Sequence, residues 1–170
     1  MASGTVIFRP SADVSLNHAL SSGSVGYRLI ADETPDDNST YISQTLSATN
    51  STSVSSIFTL TCAELPPYSF KITAVRLYAR GAKGNNGETA SATCYFAAGS
   101  ASGGSSDNAA VSGTLNTSYT TSNATSNSLM TEINSYIENN GEFPIISVKV
   151  TTTGTKSSDK NASNGYARIT

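Results

Sequence analysis

In the C-terminal third the chain reads Ile145-Ile146-Ser147-Val148-Lys149-Val150-Thr151-Thr152-Thr153. Ile146, Val148 and Val150 fall on one side of an extended chain, while Ser147, Lys149 and Thr151 fall on the other. That period of two is the mark of a strand with one buried and one wet face. Ala92, Cys94 and Phe96 stand against Thr93, Tyr95 and Ala97 in the same way. Working outward, short β-branched and aromatic runs between turn signals predict strands near 4–9, 25–30, 40–46, 54–60, 70–79, 89–97, 109–115, 145–153 and 165–170. So many short strands in one chain of 170 residues imply a single all-β domain over 1–170, a two-layer antiparallel β-sandwich.

One segment departs from this period. Leu129, Met130, Ile133, Tyr136 and Ile137 follow helical spacing and predict one short α-helix near residues 128–139, with Ser128 as its cap, Glu132 in its first turn, and Asn140-Gly141 followed by Pro144 as its stop. Its Met and Tyr read as packing residues on one open end or face of the sandwich. Gly81-Ala82-Lys83-Gly84-Asn85-Asn86-Gly87 reads as a hairpin reversal that pairs the strands 70–79 and 89–97 directly. The stretches 99–108 and 154–164 read as exposed loops.

Composition narrows the function. Ser and Thr number 29 and 22, so a small hydroxyl stands at 51 of 170 positions, whereas only 13% are charged. The net charge is -2 and the five Lys and five Arg are scattered, which argues against nucleic acid or an anionic membrane as partner. No apolar run approaches the roughly 20 residues of a membrane helix, and the opening residues lack the pattern of a secretory signal, so a soluble, non-exported protein is expected. One histidine, His18, and two cysteines, Cys62 and Cys94, cannot build a zinc cluster.

Catalytic signatures are missing. Gly99 to Gly103 reads G-S-A-S-G, with Ala101 where a nucleophile elbow needs its serine. Any Ser-based triad would have to use His18, whose context reads as a solvated or capped loop histidine. Gly81-x-x-Gly84-x-x-Gly87 has neither Walker nor dinucleotide spacing. Cys62 and Cys94 could bridge two strands, yet without a signal peptide reduced thiols are favoured, with Cys94 buried. No catalytic, cofactor-binding or metal-binding residue is therefore assigned.

Two weaker features stand out. Asp32, Asp36, Asp37 and Asn38 surround a proline-stiffened turn, where charge is most concentrated, and could supply oxygens to a hard cation. The alternative is a solvated turn in which Asp37 caps Asn38 and Ser39 and the other acids pair with Arg28 or face water. Tyr68, after Pro66-Pro67, and Tyr119, near a loop, are the tyrosines freest to stack on a sugar ring.

Val6-Ile7-Phe8-Arg9-Pro10-Ser11-Ala12-Asp13-Val14, then Gly26-Tyr27-Arg28-Leu29-Ile30, then Glu33 to Ile42 with its Asp36-Asp37-Asn38-Ser39-Thr40-Tyr41-Ile42 element, together resemble β-sandwich proteins encoded by tailed bacteriophages and prophages of gram-positive bacteria. The resemblance extends through Lys71 to Tyr78, the Leu129 to Ile137 helix and Gly165 to Thr170, with the closing strand shorter here than in those relatives. It implies a jelly-roll-like structural or accessory virion protein (decoration, fibre, or tail and adhesion component) without an activity and without catalytic residues to carry over. Such a protein would assemble in the host cytoplasm, reside in the virion, and have other virion proteins, further copies of itself and a host surface glycan as partners. A carbohydrate-binding module is the competing expectation. An exposed tyrosine-lined groove would favour it.

Overall fold

The computed structural model describes residues 4–31, 34, 36–47, 50–62, 65, 70–84, 88–105, 109–156 and 166–170. The strands are β1 (Arg9–Ser15), β2 (Ala19–Leu20), β3 (Ile42–Thr45), β4 (Thr52–Thr61), β5 (Arg76–Lys83), β6 (Thr89–Ala98), β7 (Ala110–Thr114), β8 (Thr120–Thr125), β9 (Ile146–Thr155) and β10 (Tyr166–Ile169), with one helix, α1 (Asn127–Asn140), between β8 and β9. They form two five-stranded sheets, ordered β1-β4-β9-β6-β7 and β2-β3-β10-β5-β8. All pairings are antiparallel.

Counting β3 as the first of eight strands, the inner orders become 2-7-4-5 and 1-8-3-6, the wiring of a jelly roll. Each connection from β3 to β10 crosses between sheets except that from β6 to β7. The all-β two-sheet sandwich with one helix is thus what the chain forms. Its core is filled by the inward positions of the alternating strands: Phe58 and Leu60 on β4, Ala90, Ala92 and Cys94 on β6, and Ile146, Val148 and Val150 on β9. Ile42, Leu77, Ala167 and Ile169 meet them from the other sheet.

Three strand expectations fail where a distant contact overrides local preference. Tyr27–Leu29 is a 3-10 turn rather than a strand at 25–30. The Asp13 carboxylate accepts from Gly26 N (2.8 Å) and Tyr27 N (2.6 Å) and so caps the turn. Residues 70–75 lie outside any strand: Asn134 on α1 grips the Ile72 backbone through both its amide oxygen (2.9 Å) and nitrogen (2.8 Å). The first strand begins at Arg9, later than 4–9 implied, and the Phe8 ring ahead of it stacks 5.1 Å from Phe143.

The hairpin reading of 81–87 is the largest correction. β5 runs on through Gly81, Ala82 and Lys83, which pair with β10, and β6 lies in the opposite sheet. Gly81 serves close packing, since a Cβ there would stand 2.6 Å from the Arg168 carbonyl oxygen. Asn85, Asn86 and Gly87 lie outside the described residues. β8, Thr-Thr-Ser-Asn-Ala-Thr, was not expected at all, because it carries no large apolar residue to announce its period.

The helix starts one residue early, and its cap lies two residues early. Ser126, and not Ser128, is the cap, its Oγ accepting from Leu129 N at 3.1 Å. Gly141 closes the helix at φ 71°, its N–H on Ile137 O, as Asn140-Gly141 implied. Leu129 and Ile133 form the buried stripe, and α1 packs against β6. No described helix is long and apolar enough to cross a membrane.

Candidate functional site

The acidic turn and one of the two tyrosine candidates meet on the outer face of the β2-β3-β10-β5-β8 sheet. The turn is built by Asp36, whose carbonyl accepts from Asn38 N (2.7 Å) and whose Oδ1 accepts from Thr40 N (2.8 Å) and Thr40 Oγ1 (2.6 Å). Asp37 follows at φ 54° and reaches onto β5. There Arg80 donates to both of its oxygens, Nε to Oδ1 and Nη2 to Oδ2, each at 2.7 Å. The guanidinium holds the Asp37 carboxyl below its ordinary range.

This corrects the expected turn in two respects: Asp36 rather than Asp37 makes the cap, and the ion pair is with Arg80 rather than Arg28. Arg28 instead lies by Tyr27, its Nε donating to the phenol oxygen at 3.3 Å. A cation at the turn would have to displace Arg80. Asp32 lies outside the described residues, and Asn38 contributes its backbone N–H to the turn. Among the described residues no cluster of three or more His, Cys, Asp or Glu is placed to hold a metal.

Arg80 also lies over Tyr119, its guanidinium carbon 5.8 Å from the ring centroid. Next to it, β10 alternates Ala167 and Ile169 inward with Tyr166 and Arg168 outward. The Arg168 guanidinium stacks between Tyr41 (4.0 Å) and Tyr166 (3.8 Å). Ala82, which pairs with Arg168 and shares its face, is only 2% exposed, so the cluster covers the sheet.

Tyr119 is consequently less free than its place near a loop implied. Its hydroxyl is shielded from solvent beside the Arg168 guanidinium. Burial raises its pKa, opposed by the nearby Arg168 guanidinium. Tyr68 lies outside the described residues. The patch offers stacking surface and guanidinium donors, the equipment of recognition rather than of proton transfer. Its Tyr166-x-Arg168 half was legible as alternation. Tyr41 and Tyr119 join it from strand ends, where no period marks them.

His18 is a core residue, which overturns the solvated loop reading. It is 4% exposed, with Nδ1 2.7 Å from Ser56 Oγ and Nε2 2.9 Å from Thr152 Oγ1. Thr152 Oγ1 donates its one proton to Gln44 Oε1 (2.7 Å), so it must accept from Nε2–H, leaving Nδ1 to accept from the Ser56 hydroxyl. Ser56 Oγ in turn accepts the N–H groups of Asn17 and His18. Every proton is used once, in a neutral imidazole. Burial lowers its pKa from 6.5 to about 4.

The other sheet is different in kind. Ser53, Thr153, Ser91 and Thr114 pair in sequence across four strands, and Ser55, Thr151, Thr93 and Ser112 form a second such row. Hydroxyls bridge Thr153 to Ser53 (3.1 Å), Ser55 to Thr151 (2.8 Å) and Ser112 to Thr93 (3.1 Å). The hydroxyls thereby form two uncharged, laterally bonded rows, beside which Lys149 of β9 stands on the same face over the Tyr95 ring (5.5 Å).

Neither Cys62 nor Cys94 is in a disulfide; Cys94 is buried and Cys62 half-buried. Comparison with models of known families, with curated proteins and with solved structures finds no match to this chain.

Proposed function

We propose that this chain is a non-enzymatic structural or accessory component of a tailed-phage particle, present in many copies and contacting both its own copies and other virion proteins. The observation that carries the reading is the double row of hydroxyls across β4, β9, β6 and β7. The two rows satisfy much of their own hydrogen bonding and hold no charge themselves, so abutting them against a neighbour leaves Lys149, in the next row of the same face, as the charge to be accommodated. Jelly rolls suit repeated assembly for the same architectural reason: two closed faces and short edges. The sequence resemblance through Arg9 to Val14 and Asp36 to Ile42 points the same way. The neutral imidazole of His18, with both nitrogens engaged in the core, supports the non-enzymatic part.

Mass spectrometry and antibody-labelled electron microscopy of purified particles from a host carrying the gene test this directly. Multi-copy incorporation is expected. Particles devoid of the protein, together with a strictly monomeric chain in light scattering, would overturn the reading.

A carbohydrate-binding module is the second reading, and Tyr78 favours it. This residue is 57% exposed on the face that carries Arg80, leaving a free ring for a pyranose. Binding to a glycan array that is lost in Tyr78→Ala would support that role, with a host surface glycan as the ligand.

A further inference from the structure

A strand at the rim of a sheet carries backbone N–H and C=O groups without a ladder partner, and proteins blunt such edges with proline, charge, bulges or brevity. One side of this sandwich follows that rule. β1 holds Arg9, Pro10 and Asp13 and shifts register against β4 at Pro10/Ala12 and Asp13/Ser15, while β2 is two residues long. The other side does not. There β8 and β7, six and five residues long, read Thr-Thr-Ser-Asn-Ala-Thr and Ala-Val-Ser-Gly-Thr, with no charge, proline or register shift. Ser126 N bonds Val75 O and Leu115 N bonds Ala90 O, which fixes the parity of both ladders. Thr120, Ser122 and Ala124 thus turn their backbone groups to β5, and Thr121, Asn123 and Thr125 turn theirs outward. On β7 the outward set is Ala110, Ser112 and Thr114. Among the described residues nothing bonds these backbone groups, and Thr121, Asn123, Thr125, Ser112 and Thr114 are exposed.

We propose that two copies of this chain join side by side through these edges, β8 pairing antiparallel with β8 of the second copy about a two-fold axis at Asn123. Thr121 then faces the second copy's Thr125 and Asn123 faces its own counterpart, so each outward N–H meets a C=O. The axis stands normal to the sheet and brings the β7 edges together as well. Their mid-points stack on one another, since a Cβ added at Gly113 would stand 2.5 Å from Ser122 Oγ. A second copy is the occupant these strands fit. It presents both edges at the matching offset, and the uncharged strands set no like charges opposite each other. Arg76 and Arg80 stand one strand back, on β5. The hydroxyl rows that end at Ser112 and Thr114 continue on the second copy. With six and five strand residues per copy, against roughly 20–30 in a standard interface, the dimer is weak and concentration-dependent. The inference deepens the copy-to-copy contact of the reading above and rests on that part of it.

Sedimentation equilibrium of the full chain from about 10 μM to about 1 mM tests it, together with amide exchange read by NMR at both ends of that range. A reversible monomer–dimer equilibrium without larger species is expected, because an isologous contact closes on itself. Exchange at Thr121, Asn123 and Thr125 should slow about fivefold or more in the concentrated sample, while the β1 amides keep their rates. Asn123→Pro deletes an N–H that bonds nothing within the chain, and Asn123→Lys sets two ammonium groups at the axis. Each is expected to weaken the dimer about tenfold or more, with the circular dichroism of the monomer unchanged. A chain that stays monomeric over the whole range overturns the pairing. So does growth beyond the dimer, or a dimer indifferent to both substitutions. Particles carrying many copies of a chain whose self-association ignores Asn123 would sink this pairing and leave the virion reading standing; an Asn123-dependent dimer absent from particles would do the reverse.

Discussion

His18 Nε2 donates to Thr152 Oγ1 across 2.9 Å and 134 positions of sequence, fastening the segment before β2 to the middle of the opposite sheet. Unfolding releases this imidazole to its ordinary pKa of 6.5, whereas burial holds it near 4 in the fold.

Above pH 6.5 both states carry a neutral ring and stability is at its full value. As pH falls from 6.5 toward 4 the unfolded chain binds a proton that the folded chain refuses, so stability declines, by up to roughly 3 kcal/mol for this group. Below about 4 its contribution levels off. Urea midpoints across pH 7 to 4 should fall more steeply in the unaltered protein than in His18→Gln. Identical slopes would show that His18 is not the titrating group.

Ser126→Ala should cost about 1 kcal/mol, because it removes the acceptor for the Leu129 N–H in a buried helix end. Ser128→Ala, which touches only an exposed contact with Glu132 at 3.4 Å, should be nearly neutral. Chemical denaturation of the two variants separates them, and an equal cost would contradict the cap seen here.

The Cys94 thiol, buried and pushed up to about 12, should resist thiol reagents in the native protein at pH 8. Half-buried Cys62 should be modified first, and Cys94 only after denaturant is added. Mass mapping of the labelled sites reads the order; rapid native labelling of Cys94 would mean that the core opens far more often than its packing implies.

Asp37 combines an ion pair with a backbone at φ 54°. The pair is about a third exposed and contributes at most about 1 kcal/mol. Asp37→Ala loses the pair and keeps the unfavourable φ, while Asp37→Gly loses the pair but adopts that φ freely. Thermal melts should therefore place the glycine variant at or above the alanine variant, and the gap from the unaltered protein should shrink in high salt.

What the sequence made legible was the alternation itself. Ile146, Val148 and Val150 announce a buried face because their partners in period two are polar, and β4 and β6 do the same. β8 escaped because all six of its residues are small or polar, so its period exists only in space. The 3-10 turn at Tyr27 was hidden because its cap, Asp13, stands on another strand. The aromatic cluster was half visible, through Tyr166 and Arg168, and half hidden, because Asp37 joins it through Arg80, 43 positions away. His18 looked like a loop residue for the plainest reason: Ser56 and Thr152, which make it a core residue, are far from it in sequence.

β9 and β10 occupy the third place of five in their respective sheets. During translation the ribosome therefore delivers the middle of both sheets last, and β4 and β6, or β3 and β5, wait with open backbone edges until the segment from Ile146 to Ile169 emerges. The sandwich closes only once that segment is free, and its folding is limited by the search that inserts two late strands between early ones. A nascent chain halted before Ile146 holds no half that can close, and its exposed edges make it a substrate for chaperones or for aggregation.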